Sequence, residues 1–228
     1  MTKMNNVLIV APHCDDEILG CGGIMSKYIK EGKNVYVAIV TNGHLGAPEL
    51  FSKEGTEKVR KEAKDSHEFL GVKDTFFLDF PAINLEVIPS YTLSRALSKV
   101  ITENEIDTMY LPHRGDIHRD HRITYEAALV AARPINNCPV RRIYAYETLS
   151  ETEWAAPFGD DVFIPTVFIN IENEIETKLE AFRFFTTQIK QFPHSRSPEI
   201  IKALSNFRGA TVGFPNAEAF MLIRETSK

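Results

Sequence analysis

The sequence predicts a Rossmann-like, three-layer α/β/α fold with a mostly parallel sheet and a decorated C-terminal third. Three observations carry this. Short, unbroken apolar runs rich in β-branched residues, such as Val7-Leu8-Ile9-Val10, recur along the chain, and strands apolar on both faces belong to sheets covered on both sides. Longer stretches with helical spacing separate these runs, and strand–helix alternation builds right-handed βαβ units. Polar clusters stand downstream of two of the runs, at Ala11-Pro12-His13-Cys14-Asp15-Asp16-Glu17 and at His118-Arg119-Asp120-His121. Open α/β sheets bind their ligands there, outside the carboxyl ends of the strands.

In chain order, residues 7–12 read as a fully buried strand. Residues 17–30 follow as a helix, with Ile18, Met25 and Ile29 apolar and Gly32 at its C-terminal end, since glycine tolerates the left-handed backbone past a helix end. Residues 35–40 are a second buried strand running into the polar loop Thr41-Asn42-Gly43-His44-Leu45-Gly46. Residues 54–70 are charged and helical with Gly71 as the stop, 75–78 a short strand and 91–103 a helix. Thr108-Met109-Tyr110-Leu111 is the strand that delivers Pro112-His113 and then the second cluster to the rim. Residues 123–132 are helical and stop before Pro134; 143–146 and 162–170 are strands, 172–190 a helix and 217–223 a closing strand. The stretch after Glu147 carries Pro157, Pro165, Pro193, Pro198 and Pro215. No repeat, low-complexity segment or long linker divides the chain, so one domain over residues 1–228 is expected.

With 228 residues, 43% of them hydrophobic, the chain can bury a substantial core. A net charge of −5 leaves no electrostatic footprint for nucleic acid. No stretch approaches the roughly 20 apolar residues of a membrane span. Met1-Thr2-Lys3-Met4-Asn5-Asn6 leads straight into a strand, so no signal peptide is expected. Cys14, Cys21 and Cys138 are odd in number and lack C-x-x-C spacing, which fits a reducing cytoplasm. Cys14 is expected to be a small filler beside the carboxylates. Gly20-Cys21-Gly22-Gly23 invites a dinucleotide interpretation, but eight residues separate Pro12 from Cys21. The nucleotide fingerprint opens immediately after its strand, so these glycines are expected to serve close helix packing instead.

The clusters point to metal chemistry. One histidine and one aspartate from the first, with one histidine from the second, make a three-ligand N/O set of the kind catalytic zinc takes. Adjacent side chains diverge at a strand-to-helix corner, so of Asp15 and Asp16 one can hold a cation while the other takes a proton from water. The competing role is a helix cap. His118 and His121 are three apart and share a face on a helical turn. One of them can ligate while the other points into the pocket, with Asp120 orienting an imidazole. His44, His67 and His113 are expected to be satisfied surface residues, His113 being the nearest to the rim.

A strand followed by Ala11-Pro12-His13-Cys14-Asp15-Asp16-Glu17, a Gly-rich helix and His118-Arg119-Asp120-His121 resembles the LmbE-like (PIG-L) zinc-dependent N-deacetylases. Thr41-Asn42-Gly43, Arg60-Lys61-Glu62-Ala63 and Leu70-Gly71-Val72 extend the resemblance, and the C-terminal part is similar to one bacterial subgroup. It implies that His13, Asp16 and His121 hold zinc, with Fe2+ as the alternative in the cell. Asp15 would be the general base. A protonated His118 would stabilise the oxyanion and protonate the departing amine, with Asp120 tuning its neighbour. Arg60 stands where the family often has a substrate-contacting arginine; Cys14 stands where many members have proline. The implied substrate is an acetamido sugar or sugar conjugate, and the implied assembly a homo-oligomer, commonly a trimer or hexamer. Glu147, Trp154, His194 and Arg196, in the C-terminal third, are candidate substrate residues. Two other classes compete: a metal-dependent hydrolase of another amide or ester bond, and a non-catalytic sugar-binding protein. The intact His13, Asp15, Asp16 and His121 disfavour the second.

Overall fold

A computed structural model of the chain describes residues 5–227. Residues 1–4 and 228 lie outside it, and with them most of the segment on which the expectation of no signal peptide rests. The strands are β1 (Asn6–Ala11), β2 (Asn34–Asn42), β3 (Asp74–Pro81), β4 (Thr108–Pro112), β5 (Arg142–Tyr146), β6 (Val167–Asn170) and β7 (Ala217–Glu225). They form one sheet in the order β3-β2-β1-β4-β5-β7-β6. β1 to β5 are parallel, and β7 pairs antiparallel with both β5 and β6.

β1 shows why both faces are covered. Val7, Ile9 and Ala11 enter one core with α1 (Asp16–Lys30), α3 (Lys53–Leu70) and α6 (Ile175–Arg183). Leu8 and Val10 enter the other with α4 (Ser90–Glu103) and α5 (Arg119–Ala131). Successive side chains of a strand alternate faces, so a run that is apolar throughout needs a layer on each side. The three-layer α/β/α architecture expected from the sequence is the one found.

β1 is also where the winding reverses. Val7 pairs with Val35 of β2 on one side and with Thr108 of β4 on the other. Loops after adjacent strands that lead off in opposite directions leave a crevice at the sheet rim. The clusters after β1 and β4 lie on either side of it.

Several elements differ from expectation. α5 begins at Arg119, not 123, because His118 caps it: the Asp120 N–H donates to His118 Nδ1 (3.1 Å). β6 starts at Val167 instead of 162; Pro165 upstream has no N–H to give a ladder. α6 is confined to Ile175–Arg183, and α7 (Pro198–Ala210) was not expected at all. Its start carries ordinary signals, Ser197 at the N-cap accepting from the Ile200 N–H and proline in the first turn. A single helical turn, α2 (Gly43–Gly46), replaces an expected loop.

The glycines of α1 pack closely, as expected: a Cβ on Gly20 would lie 2.2 Å from the Tyr146 ring. A buried ion pair also enters this helix. The Gly23 and Ile24 N–H groups donate to Glu218 of β7 (2.8 Å each), while Lys178 of α6 donates to the Leu19 carbonyl (2.7 Å) and to Glu218 (2.6 Å). The three thiols are free. No helix among the described residues is long and apolar enough to cross a membrane.

Candidate metal centre

The chain leaves β1 at Ala11, turns through Pro12 to Asp15 and enters α1 at Asp16. Asp15 makes the corner with φ 109° and ψ −27°, a left-handed backbone that costs a non-glycine residue on the order of 1–3 kcal/mol. From the far side of the crevice the first turn of α5 presents Asp120 and His121. His13 Nδ1 lies 3.4 Å from Asp16 Oδ2, and His121 Nε2 lies 3.3 Å from the same oxygen. Ligand atoms of His13, Asp16 and His121 all fall within 4.8 Å of one another.

Two features fit this trio to a cation. His121 Nε2 and Asp16 Oδ1 are buried and make no hydrogen bond, an arrangement that is costly unless something else satisfies them. The other nitrogen of each imidazole is already held by a carboxylate. His13 Nε2 pairs with Asp120 Oδ2 (3.1 Å), and His121 Nδ1 with Asp116 Oδ2 (2.8 Å). Such partners fix which nitrogen faces the metal and raise its basicity. Asp120 is itself held by the N–H groups of Ile83 (2.6 Å) and Leu85 (3.4 Å), and Asp116 by the Thr152 hydroxyl (2.6 Å). Two nitrogens and a carboxylate suit zinc and other first-row ions. His13, His118 and Asp120 also cluster, but there His13 and Asp120 are bonded to each other.

The electrostatics agree. Burial pulls the His13 pKa down, yet hydrogen bonds to Asp120 and Asp16 outweigh it and hold the pKa at about 9. At His121 burial likewise pulls the pKa down, and Asp16 and Asp116 outweigh it, holding the pKa well above the usual imidazole range. Asp16 is held well below the carboxylate range, against burial, by His121 and His13. Ligands shed their protons when a metal binds, so a donor set poised this way is of the kind that can take a divalent ion in their place.

Asp15 behaves oppositely. Burial, with Asp16 and Glu17 adding to it, lifts its pKa to about 8, while the Arg196 guanidinium, 3.0 Å from Oδ2, works against the rise. A bound cation adds positive charge beside it and lowers that pKa. Arg196 is tied down by Ser150 Oγ (2.8 Å) and Gln188 Oε1 (2.8 Å) and lies 3.8 Å from Glu151.

His118 faces the same crevice, its ring 4.6 Å from that of His13. Burial and the neighbouring His13 lower its pKa to about 4, and Nδ1 is the acceptor of the α5 cap. With Nδ1 accepting that N–H, Nε2 is the nitrogen left to donate toward the crevice. Asp120 bonds the side chain of His13 and gives His118 only its backbone N–H.

The other candidates are distributed around the rim. Arg196 reaches Asp15, and its N–H donates to His194 Nδ1 (3.0 Å). The Trp154 ring, 53% exposed, stands edge-on to His194 at 5.9 Å. Arg60 pairs with Asp79 and lies over the Phe77 ring. Glu147 accepts two hydrogen bonds from Arg208 of α7 (2.7 and 2.6 Å). The surface placement expected of two histidines is overturned. His67 is buried between Glu17 and Thr75; His113 is buried against the Asp161 carbonyl (2.7 Å) and the Phe163 ring. His67 lies on the inner face of an otherwise charged helix, which composition alone conceals.

Sequence reasoning assigned no role to Asp116 or Glu151. Asp116 stands five residues before His121, and a carboxylate that close to a candidate ligand was an available signal. Glu151, whose pKa burial raises to about 7, carried none, because only the packing of its loop brings it near Arg196.

A family profile described as PIG-L, GlcNAc-PI de-N-acetylase, matches residues 8–132, more than half of the chain. The uncharacterized deacetylase YaiS of Escherichia coli strain K12 is 28% identical over 187 residues, covering 79% of this chain and 90% of that protein. The diacetylchitobiose deacetylase of Thermococcus kodakarensis is 26% identical over 231 residues, covering 96% and 84% respectively. Among solved structures, the N,N'-diacetylchitobiose deacetylase of Pyrococcus horikoshii superposes with a TM-score of 0.78 at 22% identity, covering 96% of this chain and 84% of that one. GalB, the 4-carboxy-2-hydroxymuconate hydratase of Pseudomonas putida KT2440, superposes with a TM-score of 0.77 at 18% identity, covering 99% and 98%. The second likeness shows that this fold also serves a hydratase, so fold by itself does not select the reaction.

Proposed function

The chain belongs to the PIG-L family of de-N-acetylases, and from that premise we propose that it is a zinc-dependent hydrolase removing the N-acetyl group from an acetamido sugar or sugar conjugate. The observation that carries the proposal is the convergence of His13, Asp16 and His121 with the electrostatically opposite Asp15 beside them. The substrate class follows the diacetylchitobiose deacetylase at 26% identity.

His13 through Nδ1, Asp16, and His121 through Nε2 would hold the ion. When bound, it supplies Lewis acidity toward the acetamide carbonyl and makes water at the site a better nucleophile. Asp15 accepts the proton of the attacking water as the new C–O bond forms. His118 donates its Nε2–H to the carbonyl oxygen as negative charge grows there, an interaction worth roughly 3 kcal/mol in comparable sites. The Asp15 carboxyl, now carrying the proton, returns it to the nitrogen as the C–N bond breaks. Acetic acid and the amine leave, and at neutral pH the acid's proton passes to the amine or to solvent, giving acetate.

Two loops, one bearing Trp154 and the other His194 and Arg196, offer a ring edge and polar groups suited to a sugar, and Arg60 pairs with Asp79 of β3. The same proposal takes residues 1–228 as one domain, the reducing cytoplasm as the compartment of its three free thiols, a trimer or hexamer as the assembly, and Fe2+ as the alternative ion.

Metal analysis of the purified protein, followed by an acetate-release screen over N-acetylglucosamine, diacetylchitobiose and conjugates, tests it. Stoichiometric zinc and acetate release are expected. Zinc-loaded protein that frees acetate from none of them, yet hydrolyses a phosphoester or peptide, would remove the deacetylase assignment.

A further inference from the structure

We propose that His67 is a positioning residue: through Glu17 it holds the backbone of Asp15 in the left-handed corner from which that carboxylate works. The inference rests on the assignment of Asp15 as the base. It begins with the φ of 109° at Asp15, a conformation side-chain-bearing residues keep only where their surroundings impose it. The imposing contact is local. The Asp15 N–H donates to Glu17 Oε2 (3.1 Å) within the first turn of α1.

Glu17 is fully buried, and a buried carboxylate needs hydrogen-bonded partners to stay in place. His67 Nε2 lies 3.0 Å from Glu17 Oε1, the opposite oxygen. On the far side of the ring, His67 Nδ1 lies 2.8 Å from Thr75 Oγ1 of β3. The Thr75 hydroxyl can donate to Nδ1, and in that tautomer Nε2 carries the proton and donates to Glu17 Oε1. The chain of contacts thus runs from Thr75 through the ring to the carboxylate, whose second oxygen pins the Asp15 N–H. His67 is 2% exposed, so bulk water does not compete for this contact in the intact protein. Remove the imidazole and Glu17 loses its donor, the N–H anchor loosens, and the corner is free to relax to negative φ, carrying the Asp15 carboxylate away from Arg196. A misplacement of about 1 Å can cost on the order of 100-fold in rate.

The test uses His67→Ala and His67→Gln, whose amide N–H can take over the donation. Expected for His67→Ala are stoichiometric zinc, kcat lower by about 10- to 100-fold with KM within about twofold, and an Asp15 φ that has turned negative in the crystal. His67→Gln should restore most of kcat and the positive φ, and added imidazole should partly rescue His67→Ala. A folded, zinc-loaded His67→Ala that keeps Asp15 near its original φ overturns the proposal, as does equal impairment of the two variants. If His67→Ala does not fold, Thr75→Val frees the ring without emptying its site, and an unchanged φ and kcat there overturns it equally. Should the wild type release no acetate, the assignment of the base fails, while the φ of Asp15 in these variants still decides the positioning.

Discussion

Asp15 and Asp16 are adjacent in the chain and opposite in electrostatic character, which is how a site separates an acid–base role from a ligand role. Asp15→Ala should therefore keep zinc and lose turnover by at least about 100-fold, whereas Asp16→Ala should lose both; metal content and acetate release on one preparation distinguish them, and full activity in Asp15→Ala would contradict the assignment. Asp116→Ala leaves the His121 ring unanchored and should weaken zinc binding roughly 10- to 100-fold, read by competition with a chromophoric chelator. The pH dependence of the metal-free protein has a definite sign. His13 is raised from 6.5 to about 9, so the stability it contributes is complete below 6.5 and is lost as pH climbs through 9. Asp15 is raised from 3.8 to about 8, so its ionisation also disfavours the fold as pH climbs over that interval. Chelated protein should melt at progressively lower temperature between about pH 6.5 and 9; a flat or rising midpoint would refute these two shifts.

At the scale of elements, the site is made by two helix starts. α1 begins immediately after the Asp15 corner, with Asp16 and Glu17 in its first turn where the helix dipole favours anions. α5 begins at a histidine cap, which sets the His118 tautomer and puts His121 on the first turn. α1 is held against the sheet by contact with Tyr146 at Gly20. Gly20→Ala should consequently destabilise the protein by about 1–3 kcal/mol or more, as overpacking does, and shift the site with it; a denaturant midpoint unchanged from wild type would show that the helix can move aside. Helix periodicity announced α1, α3 and α4 nearly to the residue. α7 was hidden by the prolines around it, although Ser197-Pro198-Glu199 spells a helix start. The beginning of α5 was hidden because histidine is not among the common caps.

For the whole molecule, metal binding and folding should be linked, because the ligands come from segments about a hundred residues apart that only the folded sheet unites. Zinc at 100-fold its dissociation constant should add about 2.7 kcal/mol, seen as a rise in melting temperature that a chelator reverses; equal midpoints with and without zinc would mean the trio does not grip an ion. The apolar runs, their β-branched composition and the alternation with helices determined the layered sheet from sequence alone, since burial on both faces leaves no other residue pattern. The same sequence determined the donor types and their place at strand ends. Tertiary structure alone decided that β1 and β4 are neighbours, which imidazole nitrogens face the trio, that Arg196 reaches Asp15, and that Glu17 and Thr75 flank His67. Local periodicity reports whether a side chain is buried; it carries no information about which distant side chain is buried beside it, because that is fixed by strand order and packing of the assembled layers.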